Sequence, residues 1–214
     1  MENKIIVFDL DGTLVDTIYD VGESVNFSLR KFGLSERTID EYREFAGNGL
    51  GYLISSAMGD KYIEKLYIDV LESYLNIYKE NCCVNSKPYK NVLETLDKLL
   101  EKGYMLGVIS NKFDIGTQKI IKHFFGDRFT YITGSKENIK KKPHIEVMNR
   151  MLEKLKIDID KVIYVGDSHF DAEFAINCGC KYFLVTYGEE KIDLLESYSP
   201  IAFIDDIYSI INFL

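Results

Sequence analysis

Four short stretches of this chain carry side chains whose types and spacing could move a phosphoryl group: Asp9-Leu10-Asp11-Gly12-Thr13, Ser110-Asn111-Lys112, Lys142-Pro143, and Gly166-Asp167-Ser168 with Asp171 after it. On an extended backbone Asp9 and Asp11 fall on one side, so their carboxylates crowd each other and rise in pKa unless a cation neutralises them. Asp167 brings a third carboxylate towards the same point. Hard oxygen ligands of this kind suit Mg²⁺, which makes Asp9, Asp11 and Asp167 the expected metal set. A carboxylate can also attack phosphorus and form an aspartyl-phosphate, splitting one hard displacement into two easier ones. Asp11, two residues on, could protonate the departing oxygen and then take a proton from water. The remaining need is positive charge on the phosphoryl oxygens, which Mg²⁺, the Ser110 hydroxyl, backbone N–H groups and the Lys142 ammonium could supply.

These stretches matter only if the fold brings them together, and the chain predicts one that does. From residue 86 onward short apolar runs alternate with helical patterns, as parallel βαβ units require. Strands are expected at Ile5–Phe8, 104–109, 129–133, 161–165, 182–186 and 201–203. Helices are expected at 91–102, from a polar start at 112–114 through Phe125, from Pro143 at a first helical turn, and at His169–Cys178, which Gly179 ends. This is a doubly wound, Rossmann-like α/β sheet, and ligands of such sheets bind outside the carboxyl ends of the strands, where the four stretches lie. Residues 17–81 break the alternation: Val21, Val25, Leu29 and Phe32 share a helical face, 39–46 forms a second helix and 62–78 a long one. The chain therefore divides into an α/β core of residues 1–15 and 86–214 and an all-helical insertion of residues 16–85.

A length of 214 residues allows one large domain or one carrying an insertion, and 46% hydrophobic with 28% charged residues excludes a disordered chain. Acidic residues outnumber basic ones by 34 to 26, and the net charge of −8 speaks against nucleic acid or an anionic membrane as partner. The apolar run before Asp9 is too short for a signal-peptide core or a membrane span, so a cytoplasmic protein, monomer or homodimer, is expected. Cys82, Cys83, Cys178 and Cys180 read as reduced thiols, and His123, His144 and His169 stand beside no zinc-binding pattern.

The ordered set of four motifs resembles that of the haloacid dehalogenase superfamily, from residue 5 to about 190. The resemblance implies that Asp9 is the nucleophile, that Asp11 is an acid/base whose backbone carbonyl also meets the metal, and that Thr13 supports their loop. It makes Ser110, Asn111 and Lys142 the substrate-binding group, Asp167 the third metal ligand, and Asp171 a partner standing behind the metal or the lysine. The helical insertion looks like the small cap that members of this branch close over the site. Dehalogenases lack a carboxylate at the position of Asp11, and P-type ATPases carry lysine where Leu10 stands, so phosphate chemistry is implied. Pro88-Tyr89, Asn111-Lys112 and Lys142-Pro143-His144 are most similar to the phosphoglycolate phosphatase and pyrophosphatase-like subgroup, which usually has glycine at the position of Asn91 and proline at that of Ile145. The expected activity is Mg²⁺-dependent hydrolysis of a small phosphorylated metabolite resembling phosphoglycolate. A pyrophosphatase, a nucleotidase, a phosphomutase and a catalytically silent binding module are the alternatives. Mutases carry an early cap histidine where this chain has Val21, and silent modules usually lose a motif carboxylate.

Other residues read more plainly. Asp16, before Thr17, fits a helix cap, and Asp20 a helix dipole partner. Lys140 and Lys141 form a solvated run, and Lys112 is either a ligand for a substrate anion or a surface lysine opening a helix. Gly47-Asn48-Gly49-Leu50-Gly51 resembles the subgroup's cap loop and also suits a plain inter-helix connection. His144 and His169 are surface or packing residues; Tyr62, Tyr67 and Tyr74 belong to the core of the insertion.

Overall fold

The computed structural model describes residues 4–47 and 49–214. Along the chain, β1 (Ile5–Phe8) leads through a tight turn to the two-residue β2 (Val15–Asp16), and four helices follow: α1 (Ile18–Lys31), α2 (Ile39–Phe45), α3 (Leu50–Met58) and α4 (Glu64–Asn81). After the short β3 (Lys87–Pro88) the alternation begins, with α5 (Val92–Glu101), β4 (Met105–Phe113), α6 (Asp114–Phe125), β5 (Tyr131–Ser135), α7 (Glu146–Leu155), β6 (Val162–Gly166), α8 (His169–Cys178), β7 (Lys181–Val185) and β8 (Phe203–Ile204). Two compact units result: one runs to Asp16 and resumes at Pro88, the other is Thr17–Lys87.

The first unit is a six-stranded sheet in the order β5-β4-β1-β6-β7-β8, and its pairings are parallel. A doubly wound α/β fold is therefore present. Ile5, Ile6, Val7 and Phe8 are all fully buried, as expected for a central strand covered by helices on both faces. β1 lies between β4 and β6, with Phe8 level with Val108 on one side and Val165 on the other. The strand order reverses there, so Asp9 and the residues that end β4 and β6 open into one crevice.

Several boundaries differ from the sequence reading. β4 runs to Phe113, through Ser110-Asn111-Lys112, and its register against β5 shifts between Ile109 and Phe113; α6 starts only at Asp114. Such an irregularity re-aims side chains and is common beside active sites. Pro143 lies in a turn rather than in a first helical turn: its peptide with Lys142 is cis, His144 N–H donates to the Lys141 carbonyl at 2.9 Å, and α7 begins at Glu146. Asn91 adopts φ 61°, the left-handed region that favours glycine and that asparagine tolerates best among the others, and its side-chain amide donates to Asp206 at 2.6 Å. That conformation accounts for the glycine usual at this position.

The second unit contains a helix that periodicity did not reveal, α3, and Gly51 lies inside it rather than in a loop. Gly47 and Gly49 both have positive φ, and Asn48 of the same stretch lies outside the described residues. Tyr74 is buried, Tyr67 is half-buried, and Tyr62 is 48% exposed, so the last is not core. Asp16 lies in β2; Thr17 is the N-cap of α1 and makes no side-chain cap bond. Asp20 sits in the first turn of α1, but it also accepts from the Asn85 and Ser86 backbone N–H groups, both at 2.8 Å, and from the Ser86 hydroxyl at 2.6 Å. Asp20→Ala would leave the two Ser86 donors unpaired in a buried place, while Asn85 is exposed enough to turn to water, so it should cost about 2 to 3 kcal/mol. Urea unfolding checks this as a lowered midpoint, with Asp20→Asn intermediate.

Candidate active site

β1 delivers Asp9 to the crevice, where its backbone N–H donates to the Val165 carbonyl at 2.9 Å. The chain then folds back sharply: Leu14 N–H and Val15 N–H both return to the Leu10 carbonyl, and Gly12 turns with φ 78°. A Cβ on Gly12 would overlap the Asp167 carboxylate, so glycine is required both for the turn and for the close approach. Thr13, fully buried, donates its hydroxyl to Asp167 Oδ1 at 3.0 Å, which ties the first motif to the fourth.

β6 and α8 supply Asp167 and Asp171. Ser168 and Asp171 form a reciprocal capping box at the start of α8: the Ser168 hydroxyl accepts from Asp171 N–H, while Asp171 Oδ2 accepts from Ser168 N–H at 3.1 Å. This leaves Asp171 Oδ1 to accept from Lys142 Nζ at 2.6 Å and from the Tyr164 hydroxyl at 2.8 Å. Tyr164, fully buried in β6, also accepts from Lys142 Nζ at 2.9 Å. It lies within the strand expected at 161–165, and nothing in the spacing marks its hydroxyl as a partner of the lysine. Gly166 is needed here too, since a Cβ at that position would strike Asp171.

Lys142 is almost fully buried, with Nζ 3.0 Å from Asp9 Oδ1 as well as beside Asp171. Asn111 holds the lysine's backbone with both amide atoms, accepting from Lys142 N–H at 2.9 Å and donating to its carbonyl at 3.2 Å. Ser110 is buried at the same strand end, its hydroxyl accepting from Lys112 N–H at 3.3 Å. Lys112 is not a surface lysine opening a helix: it belongs to β4, its side chain is 5% exposed, and Nζ pairs with Asp11 Oδ1 at 2.9 Å. Lys141, next to the buried lysine, is exposed.

Among the described residues, the carboxylates brought together are Asp9, Asp167 and Asp171, each offering an oxygen within 4.8 Å of the others. The carboxylate of Asp11 pairs instead with Lys112. Three buried carboxylates around one ammonium leave a surplus of two negative charges, the charge of one divalent cation. Their titration expresses the same surplus. Burial raises Asp9 to about 7, against the pull of Lys142 and with further push from Asp171 and Asp11. Burial, Asp171 and Asp9 hold Asp167 well above the usual carboxylate range. Burial would raise Asp171 too, but Lys142, Ser168 and Tyr164 together bring it below its ordinary value. Burial alone would lower Lys142; Asp171 and Asp9 raise it instead, so it stays charged. Asp9 Oδ1, buried, has the Lys142 ion pair but no aligned hydrogen bond. An under-bonded carboxylate oxygen within a net-negative oxygen cluster fits a hard divalent ion such as Mg²⁺.

Two acidic residues escaped the sequence reading. Glu189 N–H donates to Asp167 Oδ2 at 2.9 Å, and Glu190 pairs with His169 Nδ1 at 2.6 Å. They lie far from the motifs in sequence, in a stretch with no periodic pattern. His169 is thus neither a plain surface residue nor a core one. All four cysteines are unbridged, and among the described residues no helix is long and apolar enough to cross a membrane.

Comparison with known proteins identifies the family. The family model for haloacid dehalogenase-like hydrolases matches residues 6–185. A phosphoglycolate phosphatase of Haemophilus influenzae (strain 86-028NP) is 34% identical over 99% of this chain and 98% of its own length. That of Aquifex aeolicus is 32% identical over 89% and 88%. The crystal structure of a predicted phosphoglycolate phosphatase from Haemophilus somnus 129pt superposes with a TM-score of 0.92 at 28% identity, covering 100% of this chain and 98% of that one. With the four motifs gathered at the carboxyl ends of the sheet's strands and the family model spanning most of its length, this chain belongs to the haloacid dehalogenase-like hydrolase family.

Proposed function

We propose that this enzyme is a Mg²⁺-dependent phosphatase that hydrolyses a small phosphate monoester, phosphoglycolate or a close analogue, through an aspartyl-phosphate on Asp9. The observation that carries the reading is Asp9 itself: a buried carboxylate at the switch point of the sheet, 3.0 Å from a buried ammonium, with one oxygen lacking an aligned hydrogen bond. The names of the relatives support the substrate class. Asp9, Asp167 and the Asp11 backbone carbonyl would hold Mg²⁺, which when bound neutralises phosphate charge and shields Asp9 from the repulsion that would otherwise meet an anionic substrate.

The chain's own groups then divide the work. Lys142 and Ser110 contact the phosphoryl oxygens, and Asn111 acts through the lysine by fixing its backbone. Asp9 attacks phosphorus as the ester oxygen departs. Asp11, the more exposed of the two aspartates, gives a proton to that oxygen and later removes one from the water that releases phosphate. Lys112 holds Asp11 in reach of this task. Phosphate release from 2-phosphoglycolate, measured against p-nitrophenyl phosphate and a panel of sugar phosphates and nucleotides, tests the reading. The highest kcat/KM belongs to the carboxylate-bearing monoester if it is right.

The raised Asp9 and Asp167 values set a pH dependence. In the metal-free protein these groups bind protons that the unfolded chain has already released, so folding stability falls as pH rises from the ordinary carboxylate value of 3.8 through about 7. Asp171, shifted downward, acts in the opposite sense only at more acid pH. Mg²⁺ competes with those protons, so its stabilising effect should grow over the same range. Thermal melts with Mg²⁺ and with EDTA should differ more at pH 8 than at pH 5.

A further inference from the structure

Residues 186–190 form no helix or strand, yet they sit on the fourth motif at several points. Tyr187 donates its hydroxyl to the Thr13 carbonyl at 2.9 Å and packs against Tyr89, with ring centroids 4.8 Å apart. Gly188 lies so close to Asp167 that a Cβ there would overlap its side chain. Glu189 N–H reaches Asp167 Oδ2. At the far end Glu190, with its side chain 13% exposed, takes two partners on one residue: one oxygen accepts from the His169 backbone N–H and the other pairs with the His169 ring at 2.6 Å. His169 opens α8, so its N–H is one of the helix's unsatisfied donors, and a carboxylate there is favoured by the helix dipole as well.

Asp167 therefore has a fixed donor on each oxygen, Thr13 on Oδ1 and Glu189 on Oδ2, while each oxygen keeps a further lone pair. The Thr13 donor is held by the turn after β1. The Glu189 donor belongs to an irregular segment whose ordering costs backbone entropy; Tyr187 fixes the segment two residues before it and Glu190 directly after it. We propose that Glu190, latched onto His169, is a positioning residue: it holds the Glu189 N–H on Asp167 and so orients that carboxylate for the divalent ion. The proposal rests on the reading of Asp167 as a metal ligand.

Mg²⁺ binding to the full-length protein without substrate, measured by calorimetry, tests it. Glu190→Ala should weaken Mg²⁺ binding by about tenfold or more, the usual effect of removing a partner that orients a ligand. Its kcat should recover at saturating Mg²⁺, with KM for substrate unchanged, a split that a merely structural role would not give. Glu190→Gln, which keeps an acceptor for the His169 N–H, should bind Mg²⁺ within about threefold of wild type. His169→Ala keeps the backbone N–H but removes the ring's contact with Glu190, together with its packing on Phe170, and decides the matter if Glu190→Ala does not fold; a weakening of about threefold or more is expected. Unchanged Mg²⁺ affinity in Glu190→Ala, or in His169→Ala where Glu190→Ala does not fold, with normal binding by wild type, would overturn the latch alone. Absence of Mg²⁺ binding by the wild type would overturn the functional reading and the latch with it.

Discussion

Replacing Asp9 with asparagine should abolish turnover, lowering kcat by at least about 10⁴-fold, because an amide cannot form the acyl phosphate and is a poorer ligand for a hard cation. The same change should leave the metal-free protein at least as stable as wild type. Burial already raises Asp9 to about 7, and Asp171 and Asp11 push in the same direction, so an uncharged side chain of equal size relieves repulsion in the fold. The two results together separate a catalytic carboxylate from a structural one, since loss of a structural residue lowers stability and activity in parallel. Phosphate-release kinetics and thermal melts in EDTA provide both readings. An Asp9→Asn enzyme retaining a substantial share of kcat would remove Asp9 from the nucleophile's role.

Lys142→Ala should lower kcat/KM by on the order of 10²-fold or more, the effect of deleting one preorganised donor where transition-state charge develops. Lys142 also balances two buried carboxylates, so its loss leaves Asp171 and Asp9 without their common cation and lowers the melting temperature in EDTA. Lys141→Ala, at an exposed position one residue away, should change kcat/KM by less than about threefold. A reversal of that ranking would contradict the placement of the lysine at the end of the Asn111 clamp.

The chemistry was legible in the sequence because it resides in residues that follow strand ends, and strand ends are announced by apolar runs that stop. Asp9 after Ile5–Phe8 and Asp167 after Val162–Gly166 are cases of this. The last part of β4 is hidden in the sequence because Ser110-Asn111-Lys112 is polar, and polar residues on a strand break the pattern that marks it. Their burial depends on neighbours from β1 and β5 that only the folded sheet supplies. The capping box formed by Ser168 and Asp171 satisfies a local rule, yet the second use of Asp171, as partner of Lys142 and Tyr164, is a tertiary matter. Tyr164 and Glu190 illustrate the limit: an aromatic in a strand and an acid in an irregular loop gain their roles from hydrogen bonds across long sequence separations. In the helical unit the sequence hides α3 because Gly49 and Gly51 flank its start, and the helical spacing of Tyr62 misleads because α4 begins only at Glu64 and leaves it outside the packed stripe.

The central claim is that a phosphoryl group passes through Asp9. Acid-quenched enzyme taken during turnover of 2-phosphoglycolate, treated with borohydride to reduce any acyl phosphate and mapped by peptide mass spectrometry, addresses it most directly. Homoserine is expected at position 9, dependent on substrate and on Mg²⁺, with aspartate unchanged at positions 11, 167 and 171. Reduction at one of those positions instead, or none at all in enzyme that is releasing phosphate, would contradict it.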